Sequence, residues 1–114
     1  MKRFVKSFGH ALRGIRYAFV GRNFRVQSIV AVAVLCLSVY FDIPRDEWFI
    51  IIFAVGLVLS LEATNSALEE ICNKFHPETH PHIALIKDLA AGAVLIASLT
   101  ALAIGLIIFL PYFF

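Results

Sequence analysis

The richest chemistry in this chain lies in Ser60-Leu61-Glu62-Ala63-Thr64-Asn65-Ser66-Ala67-Leu68-Glu69, a polar cluster at the end of a run from Trp48 to Leu61 that carries no charge. One carboxylate of such a set can take a proton, a second can hold a cation, and the amide can orient a polar ligand. If the apolar run is a helix that continues, Glu62, Asn65 and Glu69 stand at i, i+3 and i+7 and share one face. A carboxylate at membrane depth costs on the order of 2.5–3.5 kcal/mol on insertion scales, so something must compensate it. The plainer alternative is a helix end solvated among lipid headgroups. It suits Glu70, turned about 100° away from Glu69. Glu62, with apolar helix before it and Ala-Thr-Asn-Ser after it, reads as part of a site.

The elements that must position this cluster are membrane helices. Of the 114 residues 61% are hydrophobic and 16% charged, and the mean hydropathy is +0.87, values that exclude an ordinary water-soluble domain. Three apolar stretches, about 27–41, 48–68 and 89–110, are each long enough or nearly so to cross a hydrocarbon core of about 30 Å at 1.5 Å per residue. They leave little room for a separate soluble domain, so residues 1–114 read as a single membrane domain. So few helices can bury only a small polar site in a monomer, which favours an oligomer that builds sites between subunits.

Residues 2–20 read as an amphipathic helix lying in the headgroup layer. Phe4, Phe8, Leu12, Ile15 and Phe19 recur at helical spacing, and Lys2, Arg3, Lys6, Arg13 and Arg16 cover the remaining surface. Gly21-Arg22-Asn23 breaks that pattern, and the first span is expected after Arg25. Pro44 marks the next turn and Trp48 an interfacial anchor. Seven basic residues precede the first span, Arg45 is alone in the loop 42–47, and nothing basic follows Lys87. The positive-inside rule then places the N-terminus and the loop 70–87 in the cytoplasm. No signal peptide is read, and the first span is expected to be retained as an anchor. Cys36 and Cys72 offer no disulfide framework and read as buried thiols.

His76-Pro77-Glu78-Thr79-His80-Pro81-His82 invites a metal reading, but two prolines interrupt it and no cysteine completes a ligand set, so no dedicated transition-metal site is expected. In the third span Ala93, Ala97, Ala101 and Gly105 recur every fourth residue, a small-residue stripe that lets helices approach closely in lipid.

Glu62-Ala63-Thr64-Asn65-Ser66-Ala67-Leu68-Glu69 resembles the signature Glu-x-x-Asn-Ser/Thr-Ala-aliphatic-Glu of the small bacterial integral-membrane lipid kinases that phosphorylate diacylglycerol or undecaprenol. Lys87-Asp88-Leu89-Ala90-Ala91-Gly92-Ala93-Val94-Leu95 resembles their second motif, and Pro77-Glu78-Thr79-His80-Pro81 their intervening loop. The similarity extends to Arg3, Lys6, Gly9, Gly14 and Arg16 and to Arg22-Asn23-Phe24-Arg25. It implies an all-α homotrimer, each subunit with a surface helix and three transmembrane helices, in the bacterial inner membrane. It implies transfer of the γ-phosphate of ATP to a lipid hydroxyl at the cytoplasmic boundary, with no nucleic-acid partner. By position, Glu62 would be the general base and Glu69 would hold Mg²⁺. Asn65 would orient the phosphates, Lys87 and Asp88 would bind the nucleotide, and Arg3 would reach the phosphates from the surface helix. Phosphoryl transfer depends on positioning and charge neutralisation, so such a site requires no Walker-type glycine loop, and none is present.

Two departures stand out. The family usually carries a glutamate just before the Arg-Asn-Phe-Arg segment, where it helps bind metal; here Val20-Gly21 leads straight to Arg22, one residue short and without the acid. An aspartate four residues after the second signature glutamate is replaced by Asn73. Arg-Asn-Phe-Arg and Lys-Asp-x-Ala-Ala-Gly-Ala-Val resemble the undecaprenol-kinase branch more closely, with diacylglycerol second. The alternatives are a catalytically weakened relative, or a non-enzymatic membrane protein in which Glu62, Asn65 and Glu69 form an interhelical polar seam.

Overall fold

The computed structural model describes residues 1–75 and 80–114; the loop resemblance at Pro77-Glu78-Thr79, and His76 and Glu78 of the metal reading, lie outside the described residues. Four helices follow one another: α1 Lys2–Ala18, α2 Arg22–Tyr40, α3 Arg45–Phe75 and α4 Pro81–Phe113. The last three are each long and apolar enough to cross a membrane. The α1–α2 and α2–α3 turns are abrupt because the apolar periodicity is interrupted there for only a few residues. Arg22 and Asn23, expected in a break, form the first turn of α2, and only residues 19–21 leave the helical path. Gly21 is extended there (φ −73°, ψ 136°), and its N–H donates to the Ala18 carbonyl.

The α2–α3 turn carries its own stop signal. Asp42 adopts a left-handed backbone (φ 50°); its N–H donates to the Val39 carbonyl at 3.1 Å, and the Ile43 N–H donates to the Ser38 carbonyl at 3.2 Å. This pair of reverse bonds satisfies carbonyls that the end of α2 would otherwise leave open, and Ile43 folds back into the core. At this end of the bundle Ile43, Ile51, Ile108 and Phe109 are buried together. Phe41 stacks on Tyr112 with ring centroids 5.1 Å apart. The Tyr112 hydroxyl donates to Glu47 Oε1 at 3.1 Å, tying the start of α3 to the end of α4.

Helix α3 packs against both α4 and α2. Along α4 the inward face is the small-residue stripe: Ala97 is buried, and Ala93, Ala101 and Gly105 are half-buried. Side chains this small let two backbones approach closely without a hydrophobic driving force. At 1.5 Å per residue α3 and α4 are about 46 and 50 Å long, against about 28 Å for α2, so the α3–α4 pair overhangs α2. Helix α1 buries only Ala18; Phe4, Phe8, Leu12 and Ile15 are exposed.

One expectation is corrected. Cys72 is buried, but Cys36 is exposed. Helix α2 buries the line Phe24, Ala31 and Ser38, and Cys36 lies five residues from Ala31, about 140° round the helix.

Candidate functional site

Two antiparallel contacts set the register of α3 against α4. Lys87 Nζ donates to Asn73 Oδ1 at one end, and Tyr112 meets Glu47 at the other. Residue numbers at one level therefore sum to about 160 in both places, which puts Ser98 level with Glu62 and Lys87 about one turn beyond Glu69. The α1–α2 junction reaches the same region from the other side: a Cβ built on Gly21 would lie 3.9 Å from Ser66 Oγ.

Within this frame the three polar residues on one face of α3 have different surroundings. Glu62 is 3% exposed and Asn65 6%, both enclosed, whereas Glu69 is exposed. Glu69 lies on the open side of its turn, whereas Cys72, three residues on, is buried again. Asn65 Nδ2 donates to Glu69 Oε1 at 3.2 Å, a bond of i to i+4 that draws the open carboxylate towards the enclosed amide. Asn65 Oδ1 is buried and has no hydrogen-bond partner among the described residues. An amide oxygen left so costs about 1–3 kcal/mol, which a cation or a donor from a ligand would recover. The Ser66 hydroxyl donates to the Glu62 backbone carbonyl at 3.2 Å, leaving the Glu62 carboxylate free to face whatever enters.

The remaining sequence candidates divide. Lys87 is half-buried and held across the seam by Asn73. The aspartate expected at position 73 would there accept the same lysine as an ion pair. Asp88, one residue on, is turned about 100° from Lys87 and faces outwards, beside Leu85, Leu89 and Gly92. Arg3 is exposed near the start of α1, roughly 22 Å along that helix from Ala18, its one buried residue among those described. One protomer thus gathers Glu62, Asn65, Glu69 and Lys87 along the α3–α4 seam and leaves Arg3 and Asp88 outside it.

The His82 N–H donates to His80 Nδ1 at 3.1 Å, so His80 caps α4, and no cluster of three metal-ligating side chains occurs among the described residues.

A model of prokaryotic diacylglycerol kinase matches residues 9–109, nearly the whole chain. The chain belongs to that family. It is 40% identical over 112 residues to the undecaprenol kinase of Bacillus subtilis, covering 97% of this chain and 91% of that protein. The diacylglycerol kinase of Synechocystis is 35% identical over 107 residues, covering 92% of this chain and 61% of that protein. The diacylglycerol kinase of Escherichia coli is 28% identical over 100 residues, covering 87% and 82%. Membership of the prokaryotic diacylglycerol kinase family, together with the three long apolar helices, makes this a bacterial membrane protein.

For a chain of this kinase family, sequence reasoning passed over Gln27, Ser28 and Ser98. Gln27 Nε2 donates to Ser98 Oγ at 3.2 Å, joining α2 to α4 at the level of Glu62. Ser28 Oγ, next along, is buried without a partner among the described residues. The available signal was a polar side chain on the inward face of an apolar helix: Gln27 follows buried Phe24 by three residues, and Ser98 follows buried Val94 by four.

Proposed function

We propose that this chain is a lipid kinase that transfers the γ-phosphate of ATP to the hydroxyl of a membrane lipid, undecaprenol in preference to diacylglycerol. The observation that carries the reading is Glu62. It is an enclosed carboxylate with no hydrogen-bonded partner among the described residues, beside an unpartnered Asn65 Oδ1, in a chain of a kinase family. The preference for undecaprenol is supported by the 40% identity to an undecaprenol kinase over nearly the full length of both proteins.

In this mechanism Glu62 accepts the proton of the lipid hydroxyl. The lipid oxygen bonds to the γ-phosphorus as the bond to the bridging oxygen of ADP breaks, and ADP leaves. Burial of the base keeps water from competing as the acceptor. The donor set near Glu69 fits Mg²⁺, which binds through one or two carboxylates while keeping several waters: the Glu69 carboxylate is open to solvent and the Asn65 Oδ1 is unpaired. The ion, when bound, neutralises charge on the transferring phosphates. Asn65 orients those phosphates, and Lys87, held at the seam by Asn73, binds the nucleotide with Asp88 from the outer side. Arg3 reaches the phosphates from α1.

Because Arg3 and Asp88 lie outside the seam of one protomer, the complete site draws on neighbouring subunits, which supports a homotrimer. Exposed Phe4, Phe8, Leu12 and Ile15 beside Lys2, Lys6, Arg13 and Arg16 support α1 as an amphipathic surface helix. The excess of basic residues before α2 supports a multi-pass protein of the inner membrane with its N-terminus and site on the cytoplasmic side.

The test is transfer of radiolabelled γ-phosphate from Mg-ATP to undecaprenol and to diacylglycerol in mixed micelles, with Glu62→Gln as control. Transfer that depends on Glu62 and favours undecaprenol is expected. No transfer to either lipid by folded protein would overturn the reading in favour of a non-enzymatic polar seam.

A further inference from the structure

Helix α3 carries one continuous face through the bundle. Ile51, Val55, Val58 and Glu62 follow at i, i+4, i+7 and i+11, so Glu62 stands in line with three apolar residues on the same side of the helix. Those three residues floor a cavity of about 330 Å³ whose walls are α2 and α4. The cavity exists because α3 packs against both of these helices while they scarcely meet each other. Helices α2 and α4 are bridged at its two ends. Gln27 Nε2 donates to Ser98 Oγ at 3.2 Å at the end nearer Glu62, and Phe41 packs on Phe109 with ring centroids 6.3 Å apart at the other. Between the bridges the rim residues Val30, Leu102 and Leu106 are exposed, so the cavity is a groove that opens sideways along its length.

The dimensions fit one hydrocarbon chain. From Ser98 to Phe109 α4 advances about 16 Å, about the hydrocarbon depth of one leaflet. A helix of that length and about 10 Å across would occupy about 1,300 Å³, some four times the space available, whereas a single chain lying along the bundle needs no more than a pocket at the lower end of the ligand range. The chemistry also has a direction. Gln27 and Ser98 are the only polar side chains in the lining, and everything beyond them is apolar. Their one mutual bond leaves the second Gln27 N–H and the Ser98 O–H free to donate to an oxygen. A chain with oxygen at one end matches that order, and it then presents its oxygenated end on the side of Glu62. Resting on the lipid-kinase reading, we propose that this groove holds the hydrocarbon chain of the acceptor lipid next to its hydroxyl and directs that hydroxyl along the α3 face to Glu62. The ligand class is the long-chain alcohol, and the polar end serves a prenol and a glycerolipid alike.

The test is photolabelling of the parent protein in mixed micelles by a long-chain primary alcohol that carries a diazirine at mid-chain, with undecaprenol as competitor and the labelled residues mapped by mass spectrometry. Label is expected on the three sides of the groove, at Val34 of α2, Val55 of α3 and Leu102 of α4, and excess undecaprenol should remove it. Label concentrated on exposed positions away from the groove, such as Val39 and Ile107, overturns the proposal. So does groove label that undecaprenol leaves in place, which assigns the groove to bulk lipid or to side chains of a second copy. Filling the groove gives a kinetic readout. Val55→Phe should raise KM for undecaprenol about tenfold, the equivalent of about two methylenes lost from burial, with the change in KM rather than kcat at saturating Mg-ATP. Val34→Phe fills the groove from α2 and replaces Val55→Phe if that variant does not fold, as judged by thermal stabilisation with ATP; an unmoved KM in the folded variant overturns the proposal. Phosphate transfer by the parent is scored separately. Transfer to neither lipid brings down the kinase reading, whereas transfer with the label misplaced brings down the groove alone.

Discussion

Glu62→Gln should stabilise the protein while removing its activity. Glu62 lies about 21 Å along α3 from Trp48, taken as the anchor at one boundary, so in a hydrocarbon core of about 30 Å it sits some 9 Å inside the other. Insertion scales give about 2.5–3.5 kcal/mol for a charge at the membrane centre. Scaled to this shallower depth the cost is about 1–2 kcal/mol, and with the side chain 3% exposed, little solvent relieves it. Glutamine keeps the volume, so no cavity opens, and no partner among the described residues loses a bond to the carboxylate. The variant is therefore expected to resist unfolding by about 1–2 kcal/mol more than the parent. Its turnover should fall by about 10²–10⁴, the usual contribution of a positioned base, with ATP binding retained. Reversible unfolding in mixed micelles by added denaturing detergent reads the first quantity and phosphate transfer the second. A structural seam behaves oppositely: removing its carboxylate strands a partner at about 1–3 kcal/mol. Destabilisation of that size, or undiminished turnover, would refute the assignment of Glu62 as the base.

Three further outcomes follow from the same geometry. Glu69→Gln should raise the Mg²⁺ concentration for half-maximal ATP binding by about tenfold with little change in stability, since this carboxylate is exposed; a magnesium titration of nucleotide binding reads it. Asn73→Asp turns the exposed bond from Lys87 into an ion pair and should add about 0.2–1 kcal/mol at low salt, fading at high salt, as measured by unfolding at two ionic strengths. Asp42→Gly should stabilise the α2–α3 turn by up to about 1 kcal/mol, because glycine adopts the left-handed backbone at φ 50° without a Cβ clash; a higher unfolding midpoint with unchanged turnover is the expected result.

Helices and the candidate polar cluster could be read from residue order because both are local. Long apolar runs must satisfy their backbone within the segment, so α2, α3 and α4 follow from composition, and the spacing of Glu62, Asn65 and Glu69 puts them on one face whatever surrounds them. The lipid-kinase signature was recognisable for the same reason, being a short motif within one helix. Periodicity says nothing about what covers a face or where the cover ends. Only the packing made Glu62 and Asn65 enclosed and Glu69 open, since that depends on which neighbouring helices cover each part of the α3 face. The exposure of Cys36 was decided in the same way, by which side of α2 meets its neighbours. Packing likewise joined Gln27 to Ser98, 71 positions apart, and Lys87 to Asn73, because bonds between helices are set by register and register by the fit of side chains such as Ala97 against α3. The residue types available for chemistry were thus determined along the chain, and their enclosure and partners by the tertiary structure, because burial belongs to neighbouring helices together and to no single segment.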